Sequence, residues 1–265
     1  MSIEYIIKRN GTKEPFDPTK LNGWGIWASN NLGNFVDWAE AILHVYSVNN
    51  KDVTSEQLQN SLIDYCLTKN SWSYNRMAGR LYSSLLYKQV FNQDSPITIK
   101  EVNTKLVEVG LMAEEFAVAY DDSDYAELEK VIDHSKDLTY AHFQIKQIMK
   151  KYSLMDRVNK IYYETPQFVY MRVAMRMCQN KGKGKERINR IKRHYKMYSD
   201  GIVNVPTPYF NNSGTKRSGF LSCNLHSSDD TIGSLTAGDH ISYMMTVGSA
   251  GQGSKIYTRT LGSPV

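Results

Sequence analysis

The stretch P-T-P-Y-F-N-N-S-G-T-K-R-S-G-F-L-S-C, residues 206–223, decides how the C-terminal part of this chain is predicted to fold. An apolar segment at residues 202–205 precedes it, and a second apolar run ends at Cys223. Two short apolar runs separated by Asn, Gly and Ser predict two strands and their connection. A thiol at the end of a strand can point into a pocket, which makes Cys223 the first candidate for a reactive residue.

A glycine-rich loop at residues 248–254 follows, after the acidic pair Asp229-Asp230 and a helical segment. Glycines let backbone N–H groups approach an anion closely. A glycine cluster is more often only a flexible connection, so the loop alone decides nothing.

Composition and charge narrow the function classes. The 265 residues are 41% hydrophobic and 22% charged, as in a globular protein with one large domain or two ordinary ones. The net charge of +5 fits an anionic ligand but is too small and too dispersed to indicate nucleic-acid binding. No apolar stretch approaches about 18 residues and no cleavable leader opens the chain, so we expect no membrane segment and a cytoplasmic location. Three scattered cysteines predict neither a disulfide framework nor a zinc site, and we expect no metal in this chain.

The N-terminus predicts a hairpin followed by a capped helix. A short apolar run at residues 5–7 meets the turn signal Asn10-Gly11. Asp17 is a good N-cap, and Pro18 suits the first helical position. Three cations, Lys8, Arg9 and Lys20, then gather around the hairpin and the first helical turn. They form a candidate phosphate cradle, although a solvated basic hairpin has the same composition.

The segments that follow predict mainly helices. Apolar residues recur at helical spacing over residues 38–45, 58–66 and 77–91, and Thr54 opens a capping box with Gln57. Further helical patterns run from 99 to 152 and from Glu164-Thr165-Pro166-Gln167 onward. The histidines at 134 and 142 are interpreted as surface or hydrogen-bonded core residues rather than metal ligands, and the cysteines at 66 and 178 as packing residues. The basic run 181–196 is interpreted as a flexible loop followed by an exposed helix, because aromatic residues do not alternate with its cations as single-strand binding requires.

These motifs together resemble a known family. K-R-x-G-x(4)-F-D-x-x-K at residues 8–20 resembles the opening of an ATP-cone, a small regulatory nucleotide-binding domain. E-T-P-Q at 164–167, Thr207 sixteen residues before Cys223, A-G-x-G at 250–253 and R-x-L-G-S-P at 259–264 are similar to the large subunit of class I ribonucleotide reductase of phage or bacterial type. The resemblance covers the whole chain but only about the first third of such a subunit.

The fold implied by the resemblance is α/β overall and mainly α over this length. Residues 1–94 would form the ATP-cone, a β-hairpin lid on a helical bundle. Residues 95–200 would form the helical N-terminal part of the large-subunit core. Residues 201–265 would supply the first strands of a ten-stranded α/β barrel, left incomplete, as expected of a truncated chain or the product of a split gene.

The resemblance also implies site residues. Cys223 would be one of two redox thiols. The substrate contacts would be Thr207, Ser222, Ala250 and Gly251, and the allosteric specificity site would begin at Asp230 and Arg259. The ATP-cone contacts would be Lys8, Arg9, Glu14, Asp17, Lys20, Thr54 and Lys88. Many cones carry a histidine in the helix after Thr54, where this chain has Leu58 or Gln59, so its regulatory response to nucleotide is left open.

The implied function is reduction of ribonucleotides to deoxyribonucleotides for DNA synthesis, by thiyl-radical chemistry with redox cysteines. The effectors would be Mg-bound ATP, dATP and other dNTPs. The partners would be the remainder of the large subunit, a small (beta) subunit with a metal-radical cofactor, a second large subunit, and thioredoxin or glutaredoxin. The substrate would be a ribonucleoside diphosphate, with no direct contact to nucleic acid or membrane, in the cytoplasm or the host cytoplasm if phage-encoded.

Alternatives remain at this point. The chain alone is expected to be inactive. A non-enzymatic ATP-cone protein that senses nucleotide would share the N-terminal motifs. A cobalamin-dependent or anaerobic reductase is a lesser alternative, because the Thr207–Cys223 spacing and the E-T-P-Q helix are typical of class I.

Overall fold

The computed structural model describes residues 3–49, 51–93, 95–217, 219–248 and 250–259. They belong to two compact units, one of residues 1–97 and 132–167 (unit 1) and one of residues 98–131 and 168–265 (unit 2). In chain order the helices and strands are β1 (Tyr5–Ile7), β2 (Lys13–Pro15), α1 (Pro18–Ser29), α2 (Trp38–Val48), β3 (Asp52–Thr54), α3 (Ser55–Thr68), α4 (Trp72–Val90), α5 (Ile99–Glu108), α6 (Glu114–Ala117), α7 (Asp122–Glu129), α8 (His142–Tyr152), β4 (Met155–Asp156), β5 (Ile161–Tyr162), α9 (Pro166–Cys178), α10 (Gly184–Ser199), α11 (Thr207–Asn212), β6 (Cys223–Ser228), α12 (Ile232–Val247) and β7 (Gly251–Ile256). Two 3₁₀ helices, Gly33–Phe35 and His134–Thr139, lie between them.

The N-terminal hairpin is confirmed and gains a third strand. β1 pairs antiparallel with β2, with Ile6 opposite Glu14, and the turn places Gly11 at φ 81°. β1 also pairs parallel with β3, which puts Ile6 opposite Val53. The sequence did not predict β3, because a three-residue strand with one apolar residue carries no periodic signal.

The predicted caps of unit 1 are confirmed. The Asp17 carboxylate accepts a hydrogen bond from the backbone N–H of Thr19 at 2.9 Å and starts α1. The Thr54 hydroxyl accepts from the Gln57 N–H at 3.0 Å, while the Gln57 side chain accepts from the Thr54 N–H at 2.8 Å, completing the capping box of α3. Each cap satisfies donors that the first helical turn would otherwise leave unpaired.

One apolar core joins α1 to α4. Its fully buried members include Ala28, Val45, Leu62, Met77 and Leu81. Cys66 belongs to the same core, and burial raises the pKa of its thiol to about 12, so its predicted packing role is confirmed. The end of α4 near Phe91 is also as predicted.

The rest of unit 1 packs against α4. Gly79 of α4 lies so close to the start of α8 that a Cβ atom there would stand 2.2 Å from the carbonyl oxygen of Tyr140. The antiparallel pair β4–β5 follows α8 and leads to the first residues of α9.

Unit 2 contains α5 to α7, most of α9, and everything after it. Its basic helix α10 is amphipathic, with Ile188, Ile191 and Tyr195 buried. The cations at 187 and 192 form ion pairs with Asp124 and Glu127 at 2.5 and 2.7 Å. The predicted helix is confirmed, but Arg187 is largely buried rather than solvated.

The prediction of a strand over residues 202–205 is wrong. That segment is irregular, and Thr207 opens the helix α11. Pro206 and Pro208 explain the difference, because proline fixes φ near the helical value and is tolerated in the first helical turn. The second predicted strand, the apolar run ending at Cys223, is also wrong: residues 220–222 are irregular, and the strand β6 begins at Cys223.

The C-terminal elements form a β-α-β unit. β6 and β7 pair in parallel, and α12 connects them and packs against both. No helix in the described part of the chain is long and apolar enough to cross a membrane. The predicted division of the chain at residues 94 and 200 stays a prediction; Asp94 itself lies outside the described residues, as does most of the R-x-L-G-S-P motif.

Candidate functional site

A cavity of about 410 Å³ lies beneath the hairpin of unit 1, and we call it the first cavity. Four predicted nucleotide contacts line it, namely Lys8, Glu14, Asp17 and Lys20. The hairpin supplies the first two, and the start of α1 supplies the other two. Local sequence thus explains their convergence, because the Asn10-Gly11 turn and the Asp17 cap fix the hairpin and the helix start.

Aromatic and apolar side chains complete the first cavity. Phe16, Trp24 and Leu58 line it together with the charged residues. Nothing in the sequence alone assigns Trp24 or Leu58 to a site. The position of Trp24, one helical turn after Lys20, is the signal that could have found it.

The charges of the first cavity are only partly balanced. The Nζ atom of Lys8 lies 3.4 Å from a Glu14 carboxylate oxygen, and both side chains are partly exposed. Hydrogen bonds from Thr19 hold the pKa of Asp17 below its ordinary value, so this carboxylate stays ionised and is engaged in the cap. Lys20 has no ion-pair partner among the described residues. A free cation next to an aromatic wall suits an anionic ligand with a flat ring.

Two predicted contacts, Arg9 and Lys88, line a different cavity of about 480 Å³, which we call the second cavity. Trp24 links Lys88 to the first cavity, because the Lys88 ammonium lies 4.3 Å from the centroid of the Trp24 ring. Arg9 donates a hydrogen bond to the Leu85 carbonyl at 3.3 Å. The two cavities therefore meet at the Trp24–Lys88 contact.

Lys88 is held by neutral groups. Its ammonium donates to the Gln59 side-chain oxygen at 3.2 Å, and the Gln59 nitrogen donates to the Leu81 carbonyl at 2.6 Å. Burial, followed by the charges of Arg9 and Lys8, lowers the pKa of Lys88. A partly buried cation that faces other cations is costly to keep and is favoured once an anion binds.

Thr54 lines neither of these cavities; the adjacent Ser55 lines the first. Its hydroxyl is engaged in the capping box, so its observed role is structural, and its nucleotide contact stays a prediction.

The second group of predicted residues lies in unit 2, around the start of β6. Cys223 is exposed and stands opposite Gly251 in the parallel register. The Gly251 N–H donates to the Ser222 carbonyl at 2.6 Å, and the Ser222 hydroxyl lies 3.7 Å from the Cys223 sulfur. With Ala250 preceding Gly251, the structure brings these four residues together.

Thr207 belongs to a different element, the helix α11. It is exposed at the first turn of α11, and the described residues include no hydrogen bond from its side chain to the other four. The fully buried Arg172 donates to the carbonyls of Phe210 and Ser213 at 2.8 and 2.7 Å and anchors this helix. The Asn212 side chain donates to the Gly219 carbonyl at 2.6 Å, which ties α11 to the loop before Cys223.

The two predicted specificity-site residues contact each other. The backbone N–H of Arg259 donates to the Asp230 carboxylate at 2.9 Å. The Arg259 guanidinium forms an ion pair with the same carboxylate and donates to the Asp230 backbone carbonyl at 2.8 Å. This pair lowers the pKa of Asp230. A sugar hydroxyl would have to share the carboxylate with Arg259.

All three cysteines are free, with Cys66 and Cys178 buried. Burial raises the pKa of the Cys178 thiol, as expected for a packing residue. Among the described residues, no group of three or more His, Cys, Asp or Glu side chains could hold a metal ion.

Comparisons with known proteins identify two domains in this chain. The family model of the ATP cone domain matches residues 4–81, and that of the ribonucleotide reductase all-alpha domain matches residues 138–218. The ribonucleoside-diphosphate reductase subunit alpha of Buchnera aphidicola subsp. Schizaphis graminum is 28% identical over 271 residues, which cover 98% of this chain and 34% of that protein. The ribonucleoside-diphosphate reductase 1 subunit alpha of Escherichia coli K12 is 26% identical over 265 residues, which cover 98% of this chain and 34% of that protein. That of Enterobacteria phage T4 is 26% identical over 238 residues, covering 89% and 31%.

The chain contains an ATP cone domain and a ribonucleotide reductase all-alpha domain, and nearly all of it is similar to the N-terminal portion of ribonucleoside-diphosphate reductase alpha subunits. It spans about a third of the length of these curated relatives. The ATP-cone that the sequence predicts is confirmed, and a cone implies the binding of nucleotide effectors. The first cavity lies in the matched cone, whereas the second cavity also includes residues beyond the match, such as Lys160.

Proposed function

We propose that the chain contributes the nucleotide-sensing cone and the first part of the catalytic domain to a ribonucleotide reductase. One observation carries this proposal, the first cavity with its converging Lys8, Glu14, Asp17 and Lys20 beside Trp24. Its volume lies in the range of small-molecule sites, and its mixture of cations and an aromatic ring suits a nucleoside triphosphate. ATP and dATP, with Mg²⁺ on their phosphates, are the proposed ligands.

The proposed reaction replaces the 2′ hydroxyl of a ribonucleoside diphosphate by hydrogen. Cys223 and a second thiol supply two electrons and two protons; the hydroxyl leaves as water, and the two sulfurs end as a disulfide. Exposure of the Cys223 thiol at the start of β6 supports this role. The second thiol would come from the remainder of the large subunit, because Cys66 and Cys178 are buried packing residues.

Ser222, Ala250 and Gly251 are proposed to face the substrate, with Thr207 holding its diphosphate. The observed contacts around Cys223 support the first three, and the position of Thr207 at a helix start leaves its hydroxyl accessible. The parallel pair β6–β7 with α12 is proposed to begin the α/β barrel. Exposed apolar residues on this unit, including Leu225 at 87% and Val247 at 83%, support further packing by other barrel elements.

The remaining partners follow from the same proposal. A small subunit with a metal-radical cofactor would generate the radical, and thioredoxin or glutaredoxin would reduce the disulfide again. A second large subunit would complete the dimer, and dNTP effectors would bind at Asp230 and Arg259, whose ion pair would open or rearrange to admit the ribose.

Nucleotide binding is tested by titration calorimetry of the chain with Mg-ATP. Lys8→Gln combined with Lys20→Gln should weaken binding by more than about 10-fold, since each cation forms a charge-assisted contact with phosphate. Lys105→Gln, an exposed lysine of unit 2, is the control and should change nothing. Equal affinity of both variants would contradict the site.

Catalysis is tested by mixing the chain with the remainder of a large subunit and a small subunit. Deoxyribonucleotide should form with the wild-type chain and not with Cys223→Ser. If ATP binds normally but the mixture forms no product, the non-enzymatic nucleotide sensor becomes the better description.

A further inference from the structure

The second cavity has a composition that the ATP-cone alone does not explain. Three cations line it: Arg9 from the hairpin, Lys88 from α4 and Lys160 from the turn between β4 and β5. Among the described residues that line it, Glu56 is the single carboxylate. The other lining groups are mainly polar or aromatic, among them Asn60, Tyr82, Gln89, Asn92 and Tyr162.

None of the three cations forms an ion pair with a described residue. Among the described residues, Lys88 contacts two neutral groups, Gln59 and the Trp24 ring, and Arg9 donates to a backbone carbonyl. Like charges that share a cavity repel each other, and an anion bound between them removes that repulsion. The arrangement fits a group with several negative oxygens.

Backbone contacts fix the position of Lys160 beside the second cavity. The Gln89 side chain donates to the Lys160 carbonyl at 3.4 Å, which ties the β4–β5 turn to α4 next to Lys88. Lys160 has φ 57°, a left-handed conformation that few residues other than glycine adopt. This turn lies outside the residues that match the ATP cone domain.

The first and second cavities meet where the Lys88 ammonium lies over Trp24. A nucleotide whose base, sugar and inner phosphates occupy the first cavity, beside Lys8 and Lys20, therefore extends its terminal phosphate past Lys88. The second cavity holds about 480 Å³, enough for phosphate groups and their water.

We propose that Lys160 is a nucleotide-binding residue that contacts the terminal phosphate of a nucleoside triphosphate, held between Arg9, Lys88 and the β4–β5 turn. The cone then distinguishes triphosphates from diphosphates with a side chain from outside the matched cone. The β4–β5 turn leads within unit 1 to the start of α9, so the terminal phosphate connects nucleotide binding to that segment. This inference rests on the proposed nucleotide binding in the first cavity.

The test compares the binding of Mg-ATP and Mg-ADP to Lys160→Gln. The variant should bind ATP about 3- to 10-fold more weakly and change ADP affinity less than about 2-fold, the range expected for one partly exposed contact to a charged group. Lys160→Arg should keep most of the ATP affinity because it retains the charge. Lys151→Gln, an exposed lysine on α8, is the matched control and should leave both affinities unchanged.

Other outcomes separate this inference from the proposed function. If Lys20→Gln weakens both nucleotides while Lys160→Gln affects neither, the first cavity binds nucleotide and the role of Lys160 is wrong. If Lys160→Gln weakens ATP and ADP equally, it does not contact the terminal phosphate. Binding of inorganic tripolyphosphate to the ATP-saturated chain would assign the second cavity to a separate anion and would also overturn the inference.

Discussion

The ammonium of Lys88 lies 4.3 Å from the centroid of the Trp24 ring, although the two residues are far apart in the sequence. The contact joins the last helix of the cone bundle to the first and lies where the two cavities meet. Its cation is turned toward the ring by Gln59, whose amide is oriented by the Leu81 carbonyl. Trp24 and Gln59 together thus set the position of a cation proposed to bind phosphate.

Replacing Trp24 by leucine should weaken Mg-ATP binding. The loss of a cation–π contact and of the ring wall predicts a decrease of about 3- to 10-fold, corresponding to about 0.6–1.4 kcal/mol. Trp27→Leu, on the same helix and outside both cavities, is the matched control. Titration calorimetry measures both, and equal effects of the two variants would show that the ring contact contributes nothing to the site.

Gly79→Ala should strongly destabilise unit 1. The new Cβ atom would stand 2.2 Å from the Tyr140 carbonyl oxygen and 3.0 Å from backbone atoms of the α8 start, so helices α4 and α8 would have to separate. We expect a loss of about 2–3 kcal/mol in the free energy of unfolding, at the upper end for overpacking.

Gly23→Ala is the opposite case in the same fold. A Cβ atom added at Gly23 in α1 would have no other atom within 4 Å, so alanine should stabilise the helix by about 0.5–1 kcal/mol. Urea unfolding measures both variants. A Gly79→Ala chain as stable as Gly23→Ala would contradict the close approach of α4 and α8.

The features predicted correctly from sequence are those with local causes. The hairpin follows from Asn10-Gly11, and the starts of α1 and α3 follow from Asp17 and Thr54, each acting within three residues. The strand predicted at residues 202–205 is wrong. The prediction rested on the apolar content of the segment, although Pro206 and Pro208 after it indicate the start of a helix, α11.

Non-local pairings could not be predicted. β3 becomes a strand only because β1 lies beside it, and its own three residues do not indicate this. Arg9 and Lys88 were assigned to the nucleotide site by resemblance, but nothing in their spacing places them in a cavity shared with Lys160. The ion pair between Asp230 and Arg259 is likewise a product of the β-α-β topology.

Asp137→Asn should change how the stability of unit 1 depends on pH. The Asp137 side chain is fully buried and lies 2.8 Å from the Gln167 amide nitrogen and 3.0 Å from the Tyr87 hydroxyl. Burial raises the pKa of this carboxyl from 3.8 to about 7. The Tyr87 hydroxyl also donates to the His134 carbonyl at 2.5 Å, so a protonated Asp137 can donate to the phenol oxygen.

The direction in which stability changes with pH follows from this raised pKa. The folded chain holds the proton more tightly than the unfolded chain, so the contribution of Asp137 to stability is complete below pH 3.8 and is lost as the pH rises to about 7. Asparagine is uncharged like the protonated acid and should not show that loss. The stability of the variant relative to the wild-type chain should therefore increase as the pH rises from 4 to about 7. Urea unfolding at several pH values measures this. Asp156→Asn is the control, because hydrogen bonds from Asn159 lower the pKa of this exposed carboxyl. Parallel pH profiles of stability for the two variants would contradict the raised pKa of Asp137.

Arg187→Lys should destabilise unit 2 although it keeps the charge. The Arg187 guanidinium contacts the Asp124 carboxylate at 2.5 Å and the Ala119 carbonyl at 3.0 Å, and it lies 4.6 Å from the Tyr120 ring centroid. Lysine cannot make these contacts together, because its ammonium has no planar fork. The Arg187 and Asp124 side chains are only 15% and 10% exposed, so the carboxylate would be left poorly paired.

We expect Arg187→Lys to lower the free energy of unfolding by about 2–3 kcal/mol, the range for a hydrogen bond lost from a buried charged group. Arg190→Lys on the same helix should cost less than about 0.5 kcal/mol, since its pair with Glu186 is an exposed pair one helical turn apart. Denaturant unfolding of both variants decides the matter. The expected difference assigns the contribution to one buried contact, and equal losses in the two variants would contradict that assignment.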